Sequence, residues 1–380
     1  MRQDLARTAA IVGVGNSDEI GLTPNKSALM HHAEAGYNAL KDAGLSVKDV
    51  DGLFAQNYST LATAEYMGIK PRFTDCTNVG GSSFIVHIAH AVAAINAGYC
   101  EVALVTHGSV GRSARGRAGV DPSLPGPQFE IPYGMIGAPV SYAIACSRYM
   151  HQYGEERTRQ AMAEIAVATR KWAQMNPAAR MRDPMSFDDY HNSRWIAWPF
   201  HLLDCCLVTD AGGAYVITSA ARARDLPKKP VWILGVGEHH DHGIMSQMPD
   251  LTVHPAKVAG ERAFEMAGVT HKDIDLNMIY DSFTYTVLMS LESLGYCGPG
   301  EGPDLFKDQR TGPGGDWPVN TDGGGLSHTH PGALGAFLVI EAVRQLRGEC
   351  GERNVNPKLA LCNGSGGSLS SSGVAILAAD

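Results

Sequence analysis

Short apolar runs alternate with helix-like segments along this chain, and they do so twice. Ala10-Ile11-Val12-Gly13-Val14-Gly15 and Val231-Trp232-Ile233-Leu234-Gly235-Val236-Gly237 each read as a strand that ends in glycines. A second strand is expected at 52–55 in the first stretch and at 276–280 in the second. Each is followed by a polar, glycine-bearing segment and then a long apolar helix, at 81–97 and at 331–346. A buried strand comes next, Val102-Ala103-Leu104-Val105 and Leu359-Ala360-Leu361-Cys362. Short apolar strands separated by helices predict βαβ units and a mostly parallel sheet covered on both faces.

The parallel extends to single residues. Ala39-Leu40-Lys41-Asp42-Ala43-Gly44-Leu45-Ser46-Val47-Lys48-Asp49-Val50-Asp51 reappears without a gap as Ala263-Phe264-Glu265-Met266-Ala267-Gly268-Val269-Thr270-His271-Lys272-Asp273-Ile274-Asp275. Both copies predict a helix ending at a glycine cap, then a short Lys-Asp-x-Asp turn. One repeat spread over the chain implies two similar halves packed as one body, with a site where they meet. The expected halves are 1–225 and 228–380, joined by a short charged linker. Residues 109–205 have no counterpart of that length in the second half. They hold helix-like pieces at 140–153 and 160–175 and a proline-rich loop at 122–132. An insertion lying over the site, where it sets the substrate pocket, is expected there.

Composition narrows the class. The 380 residues are 44% hydrophobic and 18% charged, which suits a large core and disfavours disorder. A formal charge of -8 argues against a nucleic-acid or anionic-membrane surface. The obvious basic cluster is Arg112, Arg115 and Arg117. No apolar run reaches the ~20 residues of a membrane span. The eight cysteines form no Cys-x-x-Cys pair and follow no signal-peptide pattern, so reduced thiols in a cytoplasmic protein are expected. No metal site is expected. Glu238-His239-His240-Asp241-His242 follows a strand directly and its neighbours point in different directions, which predicts a solvated loop. Gly13-Val14-Gly15-Asn16 lacks the third glycine of a dinucleotide fingerprint, and neither a Gly-x-Ser-x-Gly elbow nor a Walker loop occurs.

Candidate chemistry concentrates in Asn320-Thr321-Asp322-Gly323-Gly324-Gly325-Leu326-Ser327-His328-Thr329-His330-Pro331-Gly332-Ala333-Leu334-Gly335. Proline suits a first helical turn, because its missing N–H would be unpaired there anyway. His330 is therefore expected at the positive end of a helix, a place that favours neutral imidazole. A histidine that merely caps a buried helix is the alternative.

This segment resembles the Asn-x-x-Gly-Gly…Gly-His-Pro-x-Gly motif of the thiolase superfamily, with His330 at the position of the reaction-centre histidine. Tyr280-Asp281-Ser282-Phe283 resembles the His-Asp-x-Phe segment of sterol-carrier-protein-type thiolases, with Tyr280 in place of the histidine. Leu294-Gly295-Tyr296-Cys297 follows at the family's spacing. Asp204-Cys205-Cys206-Leu207-Val208-Thr209-Asp210-Ala211-Gly212 is similar to its Cys-x-x-x-Ser-Asp-Gly-Ala stretch. Cys362-Asn363-Gly364-Ser365-Gly366-Gly367 resembles the C-terminal Cys-x-Gly-x-Gly loop, whose cysteine is a general acid in ordinary thiolases. The resemblance covers nearly the whole chain. It implies a five-layer αβαβα fold of two pseudo-equivalent halves, an acyl-CoA substrate without further cofactor, and a homodimer.

One departure decides the chemistry. Where thiolases carry a nucleophilic cysteine, at the head of the first half's buried helix, this chain has Asn78-Val79-Gly80-Gly81-Ser82-Ser83. The Asn78 carboxamide cannot form an acyl-enzyme, although it can donate a hydrogen bond. Cys76, two residues upstream, is either a substitute nucleophile or a small buried apolar residue. Without a nucleophile, a thiolase site can still stabilise a thioester enolate. Retro-aldol cleavage of a β-hydroxyacyl-CoA needs only that and a base. His330, Asn78 and the backbone of Gly364, Gly366 and Gly367 are candidates to hold the enolate. Tyr280, Tyr296 and Cys362 are candidates for proton transfer or for packing, and Asp281 for orienting a neighbour rather than acting as base. Arg112 and Arg115 either meet CoA phosphates or lie in a solvated loop. The pattern resembles the cysteine-less thiolase-like aldolases of steroid side-chain degradation, which implies a small partner with an OB-fold and zinc ribbon. The alternatives are an acyltransferase acting through Cys76, a non-catalytic scaffold for such a partner, and a decarboxylase.

Overall fold

The two copies of the repeated segment fold alike, and their polar residues do the same work in each. The computed structural model describes residues 3–56, 58–114 and 123–379. Strand β1 (Ala9–Asn16) leads to helix α1 (Ala28–Ala43), capped at one end by the Ser27 hydroxyl and at the other by left-handed Gly44. A single tight turn follows, closed by reciprocal bonds between Ser46 and Asp49. Asp51 then accepts the backbone N–H groups of Glu101 and Val102 at 2.8 and 2.9 Å. In the second copy Gly268 is the left-handed cap and Thr270 with Asp273 closes the turn. Asp275 accepts the N–H groups of Lys358 and Leu359 at 2.8 and 3.0 Å. The first aspartate of each Lys-Asp-x-Asp turn caps it; the second pins the start of the next buried strand.

The first stretch continues through β2 (Gly52–Ala55), α2 (Thr60–Met67), β3 (Phe73–Asp75), α3 (Ser83–Asn96) and β4 (Val102–Val110). Residues 109–205 then supply α4 (Pro125–Phe129), α5 (Ala138–Tyr153), α6 (Glu155–Met175), α7 (Phe187–His191) and the small ribbon β5 (Trp195–Ala197) and β6 (Phe200–His201). After β7 (Asp210–Ser219) and α8 (Ala220–Ala223), the pattern restarts with β8 (Val231–His240), α9 (Ala256–Ala267), β9 (Leu276–Ile279) and α10 (Thr284–Ser293). It ends with α11 (Gly335–Arg347), β10 (Leu359–Gly366) and β11 (Ser371–Ala378).

Nine strands form one sheet in the order β3-β2-β4-β7-β1-β8-β11-β10-β9. Its arms β2-β4-β7-β1 and β9-β10-β11-β8 are equivalent and meet where Ala10 and Ile11 pair with Trp232 and Val231. The expectation of a mostly parallel sheet is corrected. Among the described residues only β2–β3, β2–β4 and β9–β10 are parallel pairs. The last strand of each arm runs against its neighbour: β11 returns from β10 through a tight turn, and β7 returns beside β4 after the helical insertion. Such connections give antiparallel neighbours.

Successive strand residues face opposite layers. Ala10 and Val12 of β1 pack with Ala35, Ala39 and Leu40 of α1, whereas Ala9 and Ile11 pack with Phe84, Ile88, Phe337 and Leu338 of α3 and α11. Val374 and Ile376 of β11 divide from Ala375 and Leu377 in the same way. The central helices α3 and α11 touch each other and both arms, while α1 and α9 cover the outer faces. The layers are thus αβαβα. The strand glycines read at the ends of β1 and β8 serve this packing. A Cβ on Gly13 would stand 2.2 Å from the Ala39 carbonyl, and one on Gly235 2.1 Å from that of Ala263. The acidic and histidine-rich stretch after Val236 is a correction of detail: Glu238, His239 and His240 belong to β8 itself, and His240 bonds Ser371 on β11. No helix of the described residues is long and apolar enough to cross a membrane.

His32, His87, His107 and His254 are fully buried. Burial pushes their pKa values down to about 3, 4, 4 and 3. A histidine held neutral stabilises the fold above its ordinary value near 6.5, and that contribution is lost as pH falls toward the folded value. At pH 5 each costs about 2 kcal/mol. The melting temperature, followed by circular dichroism, is expected to fall as pH drops from 7 toward 4. A fold that persists with unchanged melting temperature at pH 4 contradicts this.

Candidate active site

Strand β9 ends at Ile279, so the next residue, Tyr280, leaves the sheet at the mouth between the two arms. Its backbone N–H still bonds the Asn363 carbonyl of β10 at 2.9 Å. The ring lies directly on Gly81, in the turn that opens α3: a Cβ on Gly81 would stand 2.3 Å from the Tyr280 hydroxyl. That hydroxyl is 2.9 Å from His330 Nε2. Burial holds the His330 imidazole down, at about 4, and a hydrogen bond to its own backbone carbonyl opposes the shift. The imidazole is therefore neutral at pH 7. In the tautomer with the proton on Nδ1, Nε2 accepts the Tyr280 O–H. Burial pushes the Tyr280 phenol well up, so it too stays neutral.

His330 reaches this place by a route that differs from the expected one. Helix α11 begins at Gly335, not at Pro331. Pro331 and Gly332 form a bend, and left-handed Gly332 cannot continue a helix. The imidazole is neutral because it is buried, not because it sits on a helix terminus. The glycine-rich turn before it is held at every polar residue. Asn320 bridges the backbone N–H and carbonyl of Ile279 at 2.7 and 2.8 Å. Asp281 accepts the N–H groups of Gly325 and Leu326 at 2.7 and 3.1 Å, and Asp322 holds His328 at 2.7 Å. Helix α6 braces the turn from the insertion through Arg170 to Ser327, at 2.9 Å. The His330 N–H is fixed by the Thr209 hydroxyl at 3.0 Å.

Tyr280 and His330 line a cavity of about 620 Å³. Its apolar wall includes Ala138, Pro139, Ile196, Leu207, Val208 and Phe283; its polar groups include Tyr142, Cys206, Ser282 and Ser365. The size and balance suit a small organic ligand with a few oriented polar atoms. Burial, with Asp281 nearby, pushes the Cys206 thiol well up, which makes it a poor nucleophile.

Of the other candidates, Gly367 lines the cavity. Gly364 and Gly366 instead let the end of β10 approach the turn before α3; a Cβ on Gly366 would stand 1.8 Å from the Val79 carbonyl. Asp281 is fully buried and spends both oxygens on the glycine turn. Cys362 faces α11, its sulfur 3.7 Å from the Leu338 carbonyl, and does not line the cavity. Tyr296 donates to Asn277 at 2.6 Å and lines a separate open groove with His271 and Trp317. Asn78 is exposed, accepts from Gln56 at 2.8 Å and lies outside the cavity lining. Cys76 is exposed and also outside it, which corrects the reading of Cys76 as a buried apolar residue. Arg112 is exposed beside Gly111 of the cavity wall, its backbone N–H bonded to Asp210 at 2.7 Å. Arg115 lies outside the described residues. Tyr142 and Ser365 were missed: Tyr142 sits in the insertion without a motif around it, and Ser365 is the variable position between two glycines.

The comparisons with known proteins agree with this geometry. Residues 237–379 match the thiolase C-terminal domain-like family. The chain is 36% identical to the 17-hydroxy-3-oxo-4-pregnene-20-carboxyl-CoA lyase of Mycobacterium tuberculosis, covering 93% of this chain and 94% of that protein. It is 34% identical to a steroid side-chain-cleaving aldolase of Thermomonospora curvata, covering 90% and 91%. The solved structure of an Ltp2-ChsH2(DUF35) aldolase superposes with a TM-score of 0.90 at 32% identity, covering 99% of both chains. By sequence and fold, this chain belongs to the thiolase superfamily, in the group of thiolase-like aldolases that cleave carbon–carbon bonds.

Proposed function

We propose that this protein cleaves the Cα–Cβ bond of a β-hydroxyacyl-CoA with a steroid side chain, and that Tyr280 and His330 are its proton-transfer pair. The observation that carries the reading is the Tyr280 ring on Gly81 with its hydroxyl 2.9 Å from a neutral imidazole. The phenol oxygen takes the β-hydroxyl proton as its own proton moves to His330 Nε2. The alkoxide collapses to a ketone, the Cα–Cβ electron pair passes into the thioester, and the resulting enolate is protonated at Cα by the Tyr280 O–H as the proton on His330 Nε2 returns to the phenol oxygen, which restores both groups. No bond to the protein forms. On a 17-hydroxy-pregnene-20-carboxyl thioester, the substrate type named for one relative, the products are a 17-ketone and propionyl-CoA.

The exposed Arg112 side chain beside the wall suits the CoA phosphates. Association with a second copy of this chain, and with an OB-fold partner of the DUF35 type named with the solved aldolase, belongs to the same reading. Analytical ultracentrifugation of the chain alone and co-expressed with such a partner checks both.

Tyr280→Phe and His330→Ala should each lower kcat by ~10²- to 10⁴-fold, the usual range for a positioned acid–base group. The double variant should be no slower than the worse single one, because the two groups move one proton chain. Ketone and acyl-CoA release, followed by chromatography, measures this; unchanged turnover in either single variant overturns the assignment. Gly81→Ala drives a methyl into the phenol and should also abolish turnover, whereas Cys76→Ala should leave turnover unchanged in the same assay.

A further inference from the structure

His254, in the loop before α9, is fully buried, and the reaction as drawn above makes no use of it. Its Nδ1 accepts the backbone N–H of Ala256 at 3.1 Å, and its Nε2 is 2.9 Å from Ser365 Oγ. A neutral imidazole has one N–H, and a nitrogen that accepts a backbone N–H cannot carry it. The proton is therefore on Nε2 and is donated to Ser365. This rules out a serine nucleophile activated by histidine, which needs the opposite direction. It also occupies a lone pair of Ser365 Oγ, so the hydroxyl must spend its own proton elsewhere. Ser365 lines the cavity. The neighbouring Tyr142 hydroxyl donates to the Gly367 carbonyl at 3.0 Å, so its proton is spent there. The His254 and Tyr142 protons are thus committed to Ser365 Oγ and the Gly367 carbonyl, and the O–H of Ser365, which lines the cavity, is left for a ligand there.

We infer that Ser365, oriented by His254, donates its hydroxyl to the thioester oxygen on which the enolate charge develops. The inference rests on the retro-aldol reading. That reaction separates two tasks, and Tyr280 with His330 performs only the first, proton transfer. The second needs a donor aimed in advance at the thioester oxygen. A hydroxyl whose orientation is set by a buried N–H needs no reorganisation when charge appears. Ser365 is the catalytic group here; His254 is a positioning residue that acts through it.

Enolate formation can be read apart from cleavage, as exchange of the α-protons of propionyl-CoA in D2O followed by mass. Ser365→Ala should lose exchange and cleavage together, by roughly 10²-fold, the usual loss for one oxyanion donor. Ser365→Thr, which keeps the hydroxyl, should recover most of both. His254→Phe should slow exchange in the parent protein and add nothing in the Ser365→Ala background, with folding of each variant checked by thermal melting. Wild-type exchange in Ser365→Ala, or an equal cost of His254→Phe in both backgrounds, overturns the proposal while leaving the retro-aldol reading intact. A wild-type protein that neither exchanges nor cleaves overturns both.

Discussion

The structure turns on one close contact, the Tyr280 ring against a residue that has no side chain. Gly81 opens the central helix of the first half, and Tyr280 leaves the sheet of the second. Only glycine lets the two meet. The contact fills the space over the mouth of α3, holds the phenol against His330, and buries both groups so that neither carries charge at neutral pH.

Around this contact, side-chain hydrogen bonds hold the glycine-rich turn in place. Asn320, Asp281 and Asp322 each hold backbone or side-chain donors of the segment that ends at His330. A turn of this kind has little apolar surface to bury, so hydrogen bonds and the packing of α6 fix it. The insertion thus has two roles. Ala138, Pro139 and Tyr142 of α5 form part of the cavity wall, as an insertion over the site should. Arg170 of α6 reaches beneath the site and braces the turn from below.

Much of this was legible in the chain. The repeat exposed the two arms because each of its aspartates performs a local task, capping a turn or pinning a strand, and local tasks leave sequence signals. Tyr280 and His330 were readable from the motifs that carry them. What failed was whatever depends on direction in space. Tyr296 and Cys362 stand in the expected motifs but on faces turned away from the cavity. The helix after His330 starts late because Gly332 is left-handed, which proline statistics alone do not reveal. Tyr142 and Gly367, 225 positions apart, meet only through the fold, as do His254 and Ser365. No spacing rule connects such residues.

Under the proposed mechanism, carbon–carbon cleavage proceeds without a covalent protein intermediate. Intact mass of the protein, quenched repeatedly during turnover of a β-hydroxyacyl-CoA, tests this most directly. The expected result is an unmodified chain at every time point while ketone and shortened acyl-CoA accumulate in equal amounts. An acyl adduct on Cys76, Cys205 or Cys206 that forms and decays at the rate of turnover would contradict it.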